Sequence, residues 1–164
     1  MNYNVFGVGN ALVDIQAQVP DAVLEKLGFA KGIMTLIDDD VQKNVLSQLG
    51  DINLNRCAGG SAANTIIGIS QLGGSTVYSS KVADDEIGQF FLSDLRELGV
   101  AVDVPEKSSG QSGTCVVLIT DDAQRTMLTN LAVSGELSPA DVDEQHIRDS
   151  DYIYVEGYLF GGDS

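Results

Sequence analysis

Cys57-Ala58-Gly59-Gly60-Ser61-Ala62-Ala63-Asn64, running on into Thr65-Ile66-Ile67-Gly68-Ile69-Ser70-Gln71-Leu72, is the stretch from which the fold is read. Two adjacent glycines permit backbone angles that a residue with a Cβ resists. Ser61 is placed to cap a helix whose first turn consists of small residues. Asn64 falls inside that turn, so its amide projects near the helix N-terminus. Such a terminus offers free N–H donors and a partial positive charge, a cradle for a hydroxyl-rich or anionic ligand. No charged residue occurs between Cys57 and Ser80. In so acidic a chain, this marks a buried helix with a polar mouth. Taken alone, the stretch equally suits a helix whose glycines serve only close packing against a sheet.

Composition narrows the classes. A chain of 164 residues can bury a core and suggests one domain. A hydrophobic content of 43% with 18 glycines fits an α/β protein. Nine basic against 24 acidic residues give a net charge of −15, which argues against nucleic acid or an anionic membrane as partner. Cys57 and Cys115 are isolated and lack metal-ligand spacing, so the expectation is reduced thiols in a cytoplasmic protein. Met1-Asn2-Tyr3-Asn4 has neither the basic region nor the apolar core of a leader, and no window matches a membrane span.

Outward from the central helix, strands and helices alternate. Tyr3 to Asn10 reads as an apolar strand ending at Gly7 and Gly9. A dinucleotide fingerprint fails here, because Leu12 stands where the third glycine belongs and Val13, Ile15, Ala17 and Val19 keep strand period instead of opening a helix. Asp14 is then an acid among apolar neighbours, either exposed on an alternating strand or bound to ligand hydroxyls. Helices are expected from Pro20 to Leu27 and from Asp38 to Leu49, with a strand at Ile33–Ile37 between them. The acids at Asp38 to Asp40 are read as a helix start, not a metal site. Thr76-Val77-Tyr78 is a strand, Asp84 and Asp85 cap a helix with Ile87, Phe90, Phe91, Leu95 and Leu98 inward, and Val100 to Val104 returns to strand. This rhythm indicates a largely parallel, helix-covered sheet.

At Thr114 the pattern becomes a hairpin, with Thr120 to Arg125 as its polar turn; Arg125 could pair with phosphate, or simply be solvated. Ser138-Pro139-Ala140-Asp141 reads as a strong helix start leading to a solvated face around His146. Asp151 to Val155 is a final strand.

In chain order, Gly9-Asn10-Ala11-Leu12-Val13-Asp14, then Gly59-Gly60 with Asn64, then Val82-Ala83-Asp84-Asp85-Glu86-Ile87-Gly88, then Ser112-Gly113-Thr114-Cys115 resemble the N-terminal half of the PfkB (ribokinase-like) family of carbohydrate and nucleoside kinases. The segment from Asn10 to Asp14, the hairpin at Thr114-Cys115 and Asn130-Leu131-Ala132 are most similar to the adenosine kinase branch. Ala83 stands where that family usually has glycine, and Ile66 where it has a small residue.

The resemblance implies a three-layer αβα ribokinase-like domain with a small β lid from strands near 12–19 and 114–131. It implies that Asp14 and Asn64 hold sugar hydroxyls with Asn10 beside them, and that Gly59-Gly60 is a hinge for lid closure. It further implies that Leu12, Cys115, Met127, Leu131 and Tyr158 line the base or sugar pocket and that Arg125 approaches the phosphates. The expected reaction is ATP-dependent phosphorylation of a hydroxymethyl group on a sugar or nucleoside, with Mg²⁺ and, as a further candidate, K⁺. The expected assembly is a monomer or a homodimer through the lid. The family's Asp-Thr-x-Gly-Ala-Gly-Asp and Asn-x-x-Glu motifs do not occur in this chain. The catalytic base is therefore expected beyond Ser164, and the chain is expected to be an N-terminal portion that cannot phosphorylate by itself. A non-catalytic sugar- or nucleoside-binding module would use the same Asp14, Gly60 and Asn64.

Overall fold

The computed structural model describes residues 2–104 and 108–161. β1 (Tyr3–Val8) stops at Gly9, and the chain re-enters strand as β2 (Leu12–Gln18). Next come α1 (Asp21–Leu27), β3 (Met34–Leu36), α2 (Asp39–Leu49) and β4 (Asn55–Gly59). The Asp38 side chain accepts from the Val41 amide and caps α2, as its acidic start requires. The uncharged helix α3 (Ser61–Gln71) leads to β5 (Thr76–Ser79), α4 (Glu86–Glu97) and β6 (Ala101–Asp103). β7 (Gly113–Ile119) and β8 (Arg125–Asn130) form the hairpin, and two 3-10 turns and α5 (Glu144–Arg148) precede β9 (Ser150–Val155).

Four strands make a parallel sheet in the order β6-β5-β1-β9. Tyr78, Val5 and Val102 of this sheet pack with Ile66 of α3 and Phe91 and Leu95 of α4 in one core. The other five strands make a separate mixed sheet, β3-β8-β7-β2-β4. In it, β2 pairs parallel with β7 and antiparallel with β4. β2, β3 and β4 therefore lie outside the parallel sheet. Helices α1 and α2 cover the second sheet, where Leu24, Val45 and Leu49 meet Ala17, Val116, Leu118 and Leu128 in a second core. A sheet with one face so covered leaves the other available for a ligand.

Two motifs that are separate in the sequence form one unit. The Asp85 carboxylate caps α4 at the Gly88 amide and also accepts from the Ser112 amide and hydroxyl; the Ser112 hydroxyl in turn accepts from the Ala83 amide. Burial pushes the Asp85 carboxyl up, but the bonds from Ser112 and Gly88 outweigh it and hold it below its ordinary value.

The segment after Ser138 departs from expectation. Its capping box forms, yet it closes only a 3-10 turn, Pro139–Asp141. Val142 is extended, and Asp143 starts α5 afresh by accepting from the Gln145 amide. Each cap satisfies its own turn, so one long helix is not needed. His146 is not on a fully solvated face: it lies half-buried, edge-on to Tyr3 and 3.2 Å from Asp103.

Candidate substrate cleft

A cleft of about 1090 Å³ opens between the uncovered face of the mixed sheet and the C-terminal ends of β1 and β9. The polar positions at its base are Asn10, Asp14, Gly60, Ser61 and Asn64. Its apolar lining includes Leu12, Met127 and Leu131, and Cys115 and Tyr158 also line it. Arg125 is the one cationic side chain among the described lining residues. Of the residues expected from the sequence, Gly59 alone is not on this wall.

The place of Gly59 is underneath Asp14. A Cβ on Gly59 would sit 2.2 Å from Asp14 Oδ1, closer than any real contact. Gly60 has φ +97°, a conformation suited to glycine, and it is the N-cap residue of α3. Ser61 is therefore the first helical residue and makes no side-chain cap. Its hydroxyl donates instead to Glu156.

Register explains how Asp14 is held. Cys57 of β4 and Cys115 of β7 are its two cross-strand partners, so the three side chains stand in one row. Thr129 of β8 extends the row and donates to the Cys115 sulfur at 3.3 Å. Both cysteines are free thiols. Burial raises the Asp14 carboxyl above its ordinary 3.8, against the pull of Arg125, whose guanidinium lies 3.8 Å from Asp14 Oδ2. Half-exposed Arg125 thus faces a carboxylate.

Burial also pushes the Cys115 thiol from 9.0 up to about 11. A folded pKa above the unfolded one gives stability that is complete below pH 9 and lost as pH rises through 11. Cys115→Ser should flatten that alkaline loss, roughly 2–3 kcal/mol by linkage. Urea unfolding between pH 8 and 11.5 checks it; an unchanged slope would refute the assignment.

Sequence reasoning missed Glu156 and Ser134. Glu156, just past β9, is 3% exposed. Its Oε2 accepts from the Asn10 amide at 2.7 Å and from Asn10 Nδ2 at 3.0 Å. Its Oε1 accepts from Ser61 Oγ at 2.5 Å and from the Ala62 amide at 3.3 Å. Fully buried Ser134 donates to Asn10 Oδ1 and accepts from the Ala11 amide. The Asn10 amide is thus gripped at both ends. At the α3 start, expected as a cradle for a hydroxyl-rich or anionic ligand, a carboxylate of the chain itself takes the Ala62 amide and the Ser61 hydroxyl. The available signal was positional: Glu156 follows an apolar parallel strand as Asn10 follows its neighbour.

Among the described residues, no three His, Cys, Asp or Glu side chains converge as a metal site, and no helix is long and apolar enough to cross a membrane. Arg125 is the one cation of the described lining, and a nucleotide triphosphate with its Mg²⁺ needs more groups than that lining supplies.

Comparison with known proteins gives a consistent result. The structure is similar to adenosine kinase from Sinorhizobium meliloti, with a TM-score of 0.90 and 36% identity over 98% of this chain and 49% of that one. It is equally similar to a probable sugar kinase from Rhizobium etli, at TM-score 0.90 and 34% identity, again covering 98% of this chain and 49% of that one. Among curated proteins, the guanosine-inosine kinase of Escherichia coli K12 is 27% identical over 94% of this chain and 37% of its own length. Adenosine kinase 2 of Arabidopsis thaliana is 29% identical over 82% of this chain and 40% of its own. The chain spans less than half the length of each. The family model for pfkB carbohydrate kinases matches residues 31–164, and with a ribokinase-like α/β fold the chain belongs to that family.

Proposed function

We propose that this chain supplies the acceptor site of a kinase that moves a phosphoryl group from ATP to a hydroxymethyl group of a nucleoside or sugar. One observation carries the reading: a buried carboxyl, Asp14, is held at the polar base of an apolar-walled cleft that Asn64 also lines. A carboxylate accepts from sugar hydroxyls, and an amide both donates and accepts. Leu12, Met127 and Leu131 offer apolar surface suited to a nucleobase, which favours a nucleoside over a free sugar. Relatives named for adenosine and for guanosine and inosine support the same choice.

In this reading the mixed sheet is a lid that excludes water, and positioning provides much of the rate. The reading assigns ATP, Mg²⁺ and the catalytic base to the part of the relatives' length that this chain does not span. ATP-dependent phosphorylation by the full-length gene product, across nucleosides and free sugars, tests the proposal. Turnover of a nucleoside is expected; silence across the panel would sink it. Binding without turnover by the full-length product would favour a non-catalytic module instead.

Asn64 is exposed in the cleft and its side chain makes no hydrogen bond among the described residues, so Asn64→Ala separates binding from folding. The variant should bind the acceptor about 5- to 20-fold more weakly, the value of one or two hydrogen bonds, and melt like the wild type. Calorimetric titration with the best substrate decides; a change below threefold would remove Asn64 from the site.

A further inference from the structure

We propose that Glu156 makes the cleft selective for uncharged acceptors, by occupying the anion site that the start of α3 would otherwise offer. The inference rests on the acceptor-site reading above and adds a substrate class to it. Helix α3 has eleven residues and carries no acidic residue in its first turn. A helix of this length presents donors and partial positive charge that attract phosphate. Here the Glu156 carboxylate takes that place from across the sheet, receiving Ser61 Oγ and the Ala62 amide on one oxygen and both Asn10 donors on the other. All four donors are uncharged, so the carboxylate charge is not cancelled by them. The backbone leaves room for it: a Cβ on Gly9 would lie 2.9 Å from Glu156 Oε2.

Among the described lining residues, the rest of the cleft sets one cation against a further carboxyl. Asp14 contributes a second carboxyl, and Arg125, the one cation of the described lining, lies 3.8 Å from it. A phosphate-bearing acceptor would meet these groups with the Ala62 amide and the Ser61 hydroxyl already held by a carboxylate. A neutral polyol meets no like-charge repulsion, and its hydroxyls can donate to Asp14.

The test follows the backbone amides of residues 60–63 by NMR while inorganic phosphate is added to wild type, Glu156→Gln and Glu156→Ala. Wild type should show no saturable shift, and the variants should bind phosphate at these amides at least about tenfold more tightly. Saturable shifts in wild type, or none in a folded variant, would overturn the proposal. A second arm, needing no variant, titrates wild type with a nucleoside and its 5′-monophosphate. At least about tenfold preference for the neutral compound is expected from like-charge exclusion, and equal binding would overturn the selectivity. If wild type binds no nucleoside or sugar at all, the acceptor-site reading falls, while the phosphate comparison still decides what Glu156 does.

Discussion

Gly59→Ala is expected to weaken acceptor binding by about a hundredfold, the value of two hydrogen bonds to a charged group, although residue 59 does not reach the cleft wall. The added methyl would meet Asp14 at Oδ1, Cγ and Oδ2, at 2.2, 2.4 and 2.9 Å. Because Asp14 is itself buried, its carboxyl has nowhere to retreat without leaving the row it shares with Cys57 and Cys115. The alternative, a shift of β4 away from β2, breaks the pairing of Leu12 with Gly59. Overpacking of this kind costs about 1–3 kcal/mol, so a lowered melting temperature should accompany the loss. Gly68→Ala is the control, for its Cβ would meet nothing within 4 Å. It should bind normally and gain stability, about 0.5–1 kcal/mol, from the helix propensity of alanine. Calorimetry on both proteins settles the matter: binding by Gly59→Ala within threefold of wild type would show that the Asp14 carboxyl is not the acceptor contact.

Asp14→Asn should divide function from stability. The amide keeps the shape but loses the charged acceptor, so binding should fall by about 30- to 100-fold. Stability should move the other way. The folded pKa of Asp14 lies above 3.8, so the folded protein holds this proton more tightly than the unfolded chain. That contribution is complete below 3.8 and is lost as pH rises through the raised value. At neutral pH wild type therefore carries a charge that burial disfavours, and asparagine removes it. The variant should unfold at an equal or higher urea concentration at pH 7, and the difference should shrink toward pH 4. Arg125 is half-exposed and its loss of a partner is screened, so it does not reverse the sign. A variant that is clearly less stable at pH 7, or that binds as wild type does, would contradict this account. An acid kept at a stability cost is a common mark of a functional position.

Much of the architecture was legible because the signals are local. Capping acids, glycine stops and apolar spacing locate α1, α2 and α4, and the hairpin announces itself by its polar turn. Partner choice was not legible. Nothing between Leu12 and Gly59 says that β3 pairs with β8 or that β4 pairs with β2, because pairing follows from which faces the covering helices bury. The cleft divides in the same way. Asp14 and Asn64 stood out as polar residues in apolar or uncharged surroundings. Glu156 and Ser134 did not, since their partners lie 146 and 124 residues away along the chain. For the same reason Ser61 looked like a cap: the carboxylate that claims its hydroxyl is 95 residues distant.

The two cores are not independent, because one strand belongs to both. Val13 of β2 is buried with α3 and α4, while Ala17, four residues on, is buried with α1 and α2. Along β2 the backbone is also bonded on both sides, to β4 and to β7. Opening either half of the molecule alone must therefore tear one end of this strand from its neighbours. In amide hydrogen exchange, the β2 amides from Val13 to Ala17 should be among the last to take up deuterium, and should do so only through global unfolding. The covering helices α1 and α2 should exchange earlier, as a cooperative group of their own. β2 is thus the mechanical spine of the chain, tying the parallel sheet's core to the core of the mixed sheet.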